Sequence, residues 1–268
     1  MKKNPNKDKY VLITGATSGI GYELAKLFAK DEYNQIIVAR SESELLATAD
    51  ELKGYGIKVI PIAKDLFEPN AAYELYEQLS AEGIKVDILV NNAGHGHYGE
   101  FVHTALKMEL DIIQLNIISL VTLTKLFLKD MVERGDGKIL NTSSIASKSP
   151  GPWQSVYHAT KAFVQSFTEA IHVEVKDKGV VVTALLPGAT NTDFFNKANM
   201  LDSKIVQDKS KLADPADVAK DGYEALMAGK DMVVSGLKNK IDVAISNITP
   251  DELSAKNTGK KQEPIDHK

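Results

Sequence analysis

The chain has 268 residues, 43% of them hydrophobic and 25% charged, with a net charge of −4 and no cysteine. Those proportions are ordinary for a globular protein with a sizeable core, and the mildly acidic balance gives no electrostatic reason to expect nucleic acid as a partner. Lacking cysteine, the protein can have no disulfide framework, thiol catalysis or Cys-ligated metal.

The amino terminus, MKKNPNKDKY, is basic and runs straight into a strand-like segment, without the apolar stretch and small-residue cleavage site of a secretion signal. No run of consecutive apolar residues approaches the roughly 20 needed to cross a bilayer. A cytoplasmic protein with no membrane partner is the expectation. Strand-like runs then follow at Tyr10–Thr14, Gln35–Ala39, Lys58–Ile62, Val86–Val90, Lys138–Thr142, Val180–Leu185 and Asp231–Val234. Between them lie helical patterns at Gly19–Lys30, Ser43–Gly54, Asn70–Gly83, Ala105–Arg134, Trp153–Lys178 and Pro215–Met227. The alternation predicts repeated βαβ units. Several strands are apolar on consecutive residues, as when helices cover both faces of a parallel sheet. The predicted fold class is therefore α/β, a doubly wound parallel sheet (Rossmann fold) of about seven strands. Residues 1–248 read as a single domain. Residues 249–268 are rich in Lys, Asn and Glu with little to bury, and read as a flexible tail. The stretch Phe194–Ala213 has weak periodicity and fits either a mobile segment beside a binding site or an ordinary surface helix pair.

The first strand ends in Thr14-Gly15-Ala16-Thr17-Ser18-Gly19-Ile20-Gly21, and a helical pattern follows at once. A tight strand-to-helix turn needs residues without a Cβ where the backbone reverses or approaches a ligand. The helix start offers free N–H groups and a positive dipole end to a pyrophosphate. Gly15, Thr17, Ser18, Gly19, Ile20 and Gly21 are thus candidate dinucleotide contacts, although a glycine-rich turn alone is often plain structure.

The second strand ends in Ala39-Arg40. An NAD site usually places an acidic residue there, about 20 residues past the glycines. A guanidinium can instead grip a 2′-phosphate through paired, charge-assisted hydrogen bonds. Arg40 therefore favours NADP(H) over NAD(H), set against a solvated strand-end arginine and the nearby carboxylates Glu42 and Glu44. Asp65 and Leu66 follow the third strand and are candidates for the adenine edge. Asn92, Ala93 and Gly94 follow the fourth, where small residues and amides would let a ribose approach; such turns are also common without a ligand.

Tyr157-His158-Ala159-Thr160-Lys161 opens a long helix after a Pro/Gly loop. Residues four apart share a helix face, so phenol and ammonium can point into one pocket. An adjacent ammonium favours the phenolate and would draw the tyrosine down from its ordinary value near 10. On its own the spacing is equally that of a surface pair.

The set Thr14-Gly15-x-x-x-Gly19-x-Gly21, Asn91-Asn92-Ala93-Gly94, Asn116, Ser143-Ser144, Tyr157-x-x-x-Lys161 and Pro187-Gly188 resembles the short-chain dehydrogenase/reductase family, in its undivided single-domain type. The motifs keep that family's order and spacing across roughly residues 8–235. The resemblance implies an oxidoreductase moving a hydride between a nicotinamide and a carbonyl or alcohol carbon. It implies that Tyr157 is the general acid/base and that Lys161 holds the nicotinamide ribose and lowers the tyrosine's pKa. Ser144, thirteen positions before Tyr157, would bond the substrate oxygen, leaving Ser143 structural. Asn116 would anchor a water relay to the lysine, and mid-helix asparagine costs helix propensity. Pro187, Gly188 and Thr192 would belong to the cofactor-binding segment whose threonine, Thr192, meets the nicotinamide carboxamide, with Thr190 departing from the apolar residue often found there. The family also implies a homo-oligomer, dimer or tetramer, through the two long helices. Substrate choice would lie in Phe194–Ala213 and the loop around His95–Phe101.

Other readings are weaker. His95, His97 and His103 have no acidic partner at zinc-ligand spacing, so no metal is expected. Trp153, Phe194 and Phe195 fit a substrate pocket or plain core packing. A Ser144 hydrolase would need a Gly-x-Ser-x-Gly elbow, which is missing. A nucleotide-sugar epimerase-like chain would show a different glycine turn and a larger carboxy-terminal domain. The competitor from another class is a catalytically silent NADP(H)-binding sensor or scaffold on the same fold.

Overall fold

The computed structural model describes residues 4–246 and 248–265, without the side chain of residue 209. In chain order the elements are β1 (Tyr10–Thr14), α1 (Gly19–Lys30), β2 (Asn34–Ala39), α2 (Glu42–Lys53), β3 (Val59–Ala63), α3 (Ala71–Ala81) and β4 (Val86–Asn91). They continue with α4 (Leu106–Ile113), a π-helical turn (Gln114–Ser119), α5 (Leu120–Arg134), β5 (Gly137–Thr142), α6 (Ser155–Val175) and β6 (Val180–Leu186). Two four-residue helices, α7 (Phe194–Lys197) and α8 (Lys204–Gln207), precede α9 (Pro215–Met227), β7 (Met232–Val234), α10 (Leu237–Ser246) and α11 (Asp251–Gln262).

The seven strands form one sheet in the order β3-β2-β1-β4-β5-β6-β7, every pairing parallel. Strand parity divides the core. Val11, Ile13, Ile37 and Val90 point to one face and pack with Leu24 and Phe28 of α1, Leu45 and Leu52 of α2, and Val218 and Leu226 of α9. Leu12, Ile36, Val38 and Leu89 point to the other, against Leu75 and Leu79 of α3, Leu123 and Phe127 of α5, and Ile171 of α6. Burial on both faces is why these strands read as continuous apolar runs. The order reverses between β1 and β4, the switch point outside which ligands bind in open α/β sheets.

Two expectations need correcting. The helical pattern Ala105–Arg134 is interrupted by the π turn around Asn116, where the ladder lengthens to i→i+5. By length and composition alone, Leu106–Arg134 could span a bilayer, which a search for uninterrupted apolar runs overlooks; its Leu115, Leu123, Phe127 and Met131 lie in the core. The supposed flexible tail contains a helix, α11, with Asp251 and Glu252 in its first turn and Lys260 and Lys261 in its last, each suited to the dipole. Its buried residues are Ser254 and Gln262, so polar contacts hold it, and hydrophobic patterning does not reveal them. Of the two readings left open for 194–213, the helix pair has its counterpart in the short helices α7 and α8, and a parallel bridge between Thr190 and Ala213 closes the stretch.

Candidate active site

The carboxyl ends of β1, β2, β4, β5 and β6 open into one cleft of about 1380 Å³. At its β1 end, Gly15 and Gly19 adopt φ of +66° and +56°, a region costly to any residue with a Cβ. The turn is clamped from β4. The Asn92 side-chain amide donates to the carbonyls of Thr14 and Gly15, both at 3.2 Å, and the Thr14 hydroxyl accepts from the amides of Asn92 (3.1 Å) and Ala93 (3.0 Å). A Cβ on Gly21 would overlap the Gly15 carbonyl oxygen and the Asn92 amide nitrogen. Ser18, the N-cap of α1, makes no side-chain cap bond, and no acidic residue lies in the first turn. First-turn amides without a competing cap or carboxylate, above a turn where a Cβ would not fit, suit a dinucleotide's pyrophosphate.

Arg40 follows β2 at the cleft edge, its guanidinium 5.1 Å from the centroid of the Phe67 ring. Glu44 shares that corner and accepts from the Thr17 hydroxyl at 3.3 Å, whereas Glu42 does not line the cleft. Asp65 and Leu66 line the same end, and Asp65 caps its own turn by accepting from the Phe67 amide at 3.1 Å.

The cluster around Tyr157 and Lys161 is assembled by β4, β5, β6 and α6. Lys161 is buried and donates to the Thr142 carbonyl at 2.9 Å, with its ammonium 5.7 Å from the centroid of the Tyr157 ring. Ser144 accepts from the Ala146 amide at 3.1 Å and faces the Tyr157 phenol. Ser143 donates to the Lys161 carbonyl at 2.7 Å, tying β5 to α6. Asn116 sits in the π turn. Its carbonyl oxygen accepts from the His95 amide (2.9 Å), and its NH2 donates to the His95 carbonyl (2.9 Å) and the Thr160 hydroxyl (3.0 Å). The side chain thereby joins the β4 loop to α6. Gly94 lies against both: a Cβ there would stand 3.3 Å from the Lys161 ammonium and 3.5 Å from the Asn116 oxygen.

After β6, the Pro187 carbonyl accepts from the Ile145 amide at 2.9 Å. Gly188 lies so close to Asn239 of α10 that a Cβ would collide with its amide. Thr192 folds back onto Gly19, bringing the post-β6 segment to the dinucleotide turn. Thr190 turns its hydroxyl to the Gly188 carbonyl at 2.9 Å, a local bond that an apolar residue could not make. Phe194 stacks obliquely on Tyr157 at 5.2 Å, so it belongs to the pocket, and Trp153 stacks on Tyr98 at 5.9 Å. His95 packs on Phe67, and His103 lies 3.5 Å from Glu100.

The electrostatics depart from the expectation raised by the Tyr-x-x-x-Lys spacing. Burial pushes the Tyr157 phenol up to about 12, and the Ser144 hydroxyl pulls weakly the other way. Burial likewise lowers Lys161 to about 8. In a dry site the desolvation of each charged form outweighs the spacing argument. Lys161 therefore costs stability: between pH 8 and 10.5 the unfolded chain holds a proton that the folded one has released, so stability rises with pH across that window. In the unliganded protein, Lys161→Met is expected to raise stability at pH 7 by roughly 1–3 kcal/mol. Thermal melts from pH 7 to 10.5 should show the gap over wild type closing; a constant gap would mean that packing, not charge burial, sets it.

Three participants escaped the sequence reading. Gln154, His158 and Gln262 are buried and line the cleft beside Tyr157. His158 stood inside the motif but reads as filler between Tyr157 and Lys161, and Gln262 lies in the stretch taken for a tail.

The short chain dehydrogenase family matches residues 9–202 of this chain. Ketoacyl reductase HetN of Nostoc sp. is 32% identical over 244 residues, covering 90% of this chain and 79% of that protein. The very-long-chain 3-oxoacyl-CoA reductase of Anas platyrhynchos is 35% identical over 190 residues, covering 68% of this chain and 60% of that protein. A short-chain dehydrogenase from Sphingobium yanoikuyae, solved in complex with NADPH, superposes with a TM-score of 0.79 at 28% identity, covering 90% of this chain and 94% of that one. With the match running through every strand from β1 to β6, the chain belongs to the short-chain dehydrogenase family, oxidoreductases that bind a nicotinamide cofactor.

Proposed function

We propose that this protein is an NADP(H)-dependent reductase of ketones or aldehydes, reversible toward the alcohol, with Tyr157 as general acid/base. The observation that carries the reading is the convergence of Ser144, Tyr157, Lys161 and Asn116 on the cleft that also holds the glycine turn. Gly15, Thr17, Ser18, Gly19, Ile20 and Gly21 would take the pyrophosphate, Asp65 and Leu66 the adenine, Asn92, Ala93 and Gly94 a ribose, and Pro187, Gly188 and Thr192 the carboxamide. A bound nicotinamide supplies or accepts the hydride. The protein's part is to aim the Ser144 and Tyr157 hydroxyls at one substrate oxygen, where charge develops, and to pass a proton from Tyr157 to it. Lys161 holds the nicotinamide ribose and supplies positive charge beside the phenol, and Asn116 fixes the backbone at His95 and the start of α6. The intact set argues against a silent NADP(H) sensor, which has no need of the Ser144 hydroxyl facing a buried Tyr157 phenol.

Arg40 at the end of β2 supports NADP(H), since its guanidinium is unopposed by any carboxylate at position 39. Arg40→Ala is expected to raise KM for NADPH by roughly 10–100-fold and leave that for NADH within about twofold. Initial rates with both cofactors on a panel of carbonyl compounds check this; equal losses with NADPH and NADH would sink the assignment. Tight NADPH binding with no carbonyl or alcohol turned over would favour the sensor. The names of the two relatives place 3-oxoacyl compounds among the first to test. Exposed apolar side chains on the long helices, Leu110, Ile118, Phe163 and Val173, support a homo-oligomer through that face, whose mass light scattering reads directly.

A further inference from the structure

Beside Tyr157 a chain of side chains runs from a backbone carbonyl to an amide nitrogen that has no partner among the described residues. The Ser149 carbonyl lies 2.8 Å from His158 Nδ1, so that nitrogen carries the proton and Nε2 is left as an acceptor. Burial lowers the pKa of His158, with the carbonyls of Ser149 and Ala146 opposing, and it keeps the ring neutral. The Gln262 Nε2 then donates to His158 Nε2 at 3.0 Å, which fixes which end of the Gln262 amide faces the ring. Its second N–H points to Gln154 Oε1 at 3.3 Å. Each assignment dictates the next, and the last leaves Gln154 with its NH2 turned away from the chain. Among the described residues that nitrogen is buried without a partner, as is Gln262 Oε1, and both residues are only 4% exposed.

The free NH2 lies beside the Tyr157 ring, across Gly96. A Cβ built on Gly96 would stand 3.4 Å from Gln154 Nε2, 3.4 Å from Tyr157 Cδ2 and 2.8 Å from Phe194 Cζ. The amide therefore borders the same small space as the Tyr157 ring, with the Phe194 ring as its neighbour, and Phe194 belongs to the four-residue helix α7. The relay is held from outside by α11. The Gln262 carbonyl accepts from the Tyr98 hydroxyl and, at 3.1 Å, from the Ser203 hydroxyl, and Thr258 meets Ser149 at 3.2 Å. The His158 ring lies flush on Gly151, where a Cβ would collide with it. Buried donors left unmade are rare in proteins and mark places where a partner arrives.

We propose that Gln154 is a substrate-binding residue whose NH2 donates to a second oxygen of the substrate, close to the carbonyl that Tyr157 protonates, and that His158 and Gln262 are positioning residues that hold the donor in that sense. The substrate class is then a ketone carrying a neighbouring hydrogen-bond acceptor, such as the thioester carbonyl of a 3-oxoacyl compound. The inference rests on the carbonyl-reductase reading above. A site built around a hydrogen-bonding donor discriminates strongly against an analogue lacking the acceptor, because the donor is again left unpaired.

The experiment compares a 3-oxoacyl thioester with a simple methyl ketone of equal chain length, using NADPH, in wild type, Gln154→Met and Gln262→Met. Wild type should prefer the thioester. Gln154→Met should cut kcat/KM for the thioester by roughly 10–100-fold, mainly through KM, and leave the simple ketone within about threefold. Gln262→Met should lose the same preference without touching the substrate, since nothing then orients Gln154. Thermal melts of each variant establish that it is folded, and an unfolded Gln262→Met leaves the near-isosteric Gln154→Met to decide. Equal losses on both substrates, or none, would overturn the proposal. A wild type that reduces neither ketone would instead overturn the underlying reading, and the proposal with it.

Discussion

Tyr157→Phe is expected to lower kcat for carbonyl reduction by about 10³-fold or more while NADPH binds within about twofold of wild type. The substitution deletes one oxygen. The ring that packs 5.2 Å from Phe194 stays in place, so the pocket keeps its shape and the loss is confined to proton transfer and to the contact with Ser144. The direction of catalysis should show in the pH profile. Burial holds the phenol protonated, with a pKa pushed up to about 12 in the unliganded protein. The acid form needed for reduction is thus present throughout the neutral range, whereas alcohol oxidation needs the phenolate and should speed up as pH rises. Steady-state rates in both directions, with a fluorescence titration of NADPH, measure each part. A variant retaining a tenth of wild-type turnover would place the proton donor elsewhere.

Gly21→Ala should abolish nucleotide binding more thoroughly than any loss of a single contact. The added methyl would overlap the Gly15 carbonyl oxygen and the Asn92 amide and come within 2.9 Å of the Gly15 carbonyl carbon. Two of those atoms are backbone in a turn already held at φ of +66°, so no side-chain rotation relieves the clash. The turn must move away from β4, breaking the two bonds from Asn92 that clamp it. Overpacking of this kind costs roughly 1–3 kcal/mol, and the loss of both clamps adds about 1–2 kcal/mol. NADPH affinity should fall by about 100-fold or more, since the backbone donors for the pyrophosphate are displaced together. Calorimetric titration and denaturant melts test the two halves separately. Unchanged affinity would show that the pyrophosphate does not sit on this turn.

The parts legible in the sequence are those where one residue type answers one backbone requirement. Gly15 and Gly19 mark left-handed positions, and the alternation of β-branched runs with helical patterns yields a seven-stranded parallel sheet. The Tyr157–Lys161 spacing brings both side chains to one wall of the cleft. What could not be read depends on partners distant in the chain. Arg40 finds Phe67, Thr14 finds Asn92, and His158 finds Gln262 across 104 positions. Helix α11 has almost no apolar face to announce it, because what docks it is Gln262 and a row of hydroxyl contacts. The upward shift of the Tyr157 pKa is illegible in the sequence for the same reason: spacing supplies a charge partner, but only the assembled pocket shows how little water is left to solvate either group.

The π turn at Gln114–Ser119 also constrains the lineage of the chain. A π turn is an α-helix with one residue too many, so deleting Ile117 would restore a regular ladder and ought to please the helix itself. Because the widened turn absorbs its extra residue, the flanks would stay in phase, and the core residues Leu123, Phe127 and Met131 could keep their partners. Asn116 alone would lose the widened turn from which its side chain reaches His95 and Thr160. Length changes should therefore be absent from this stretch in any functional descendant, even though nothing in its local stability forbids them.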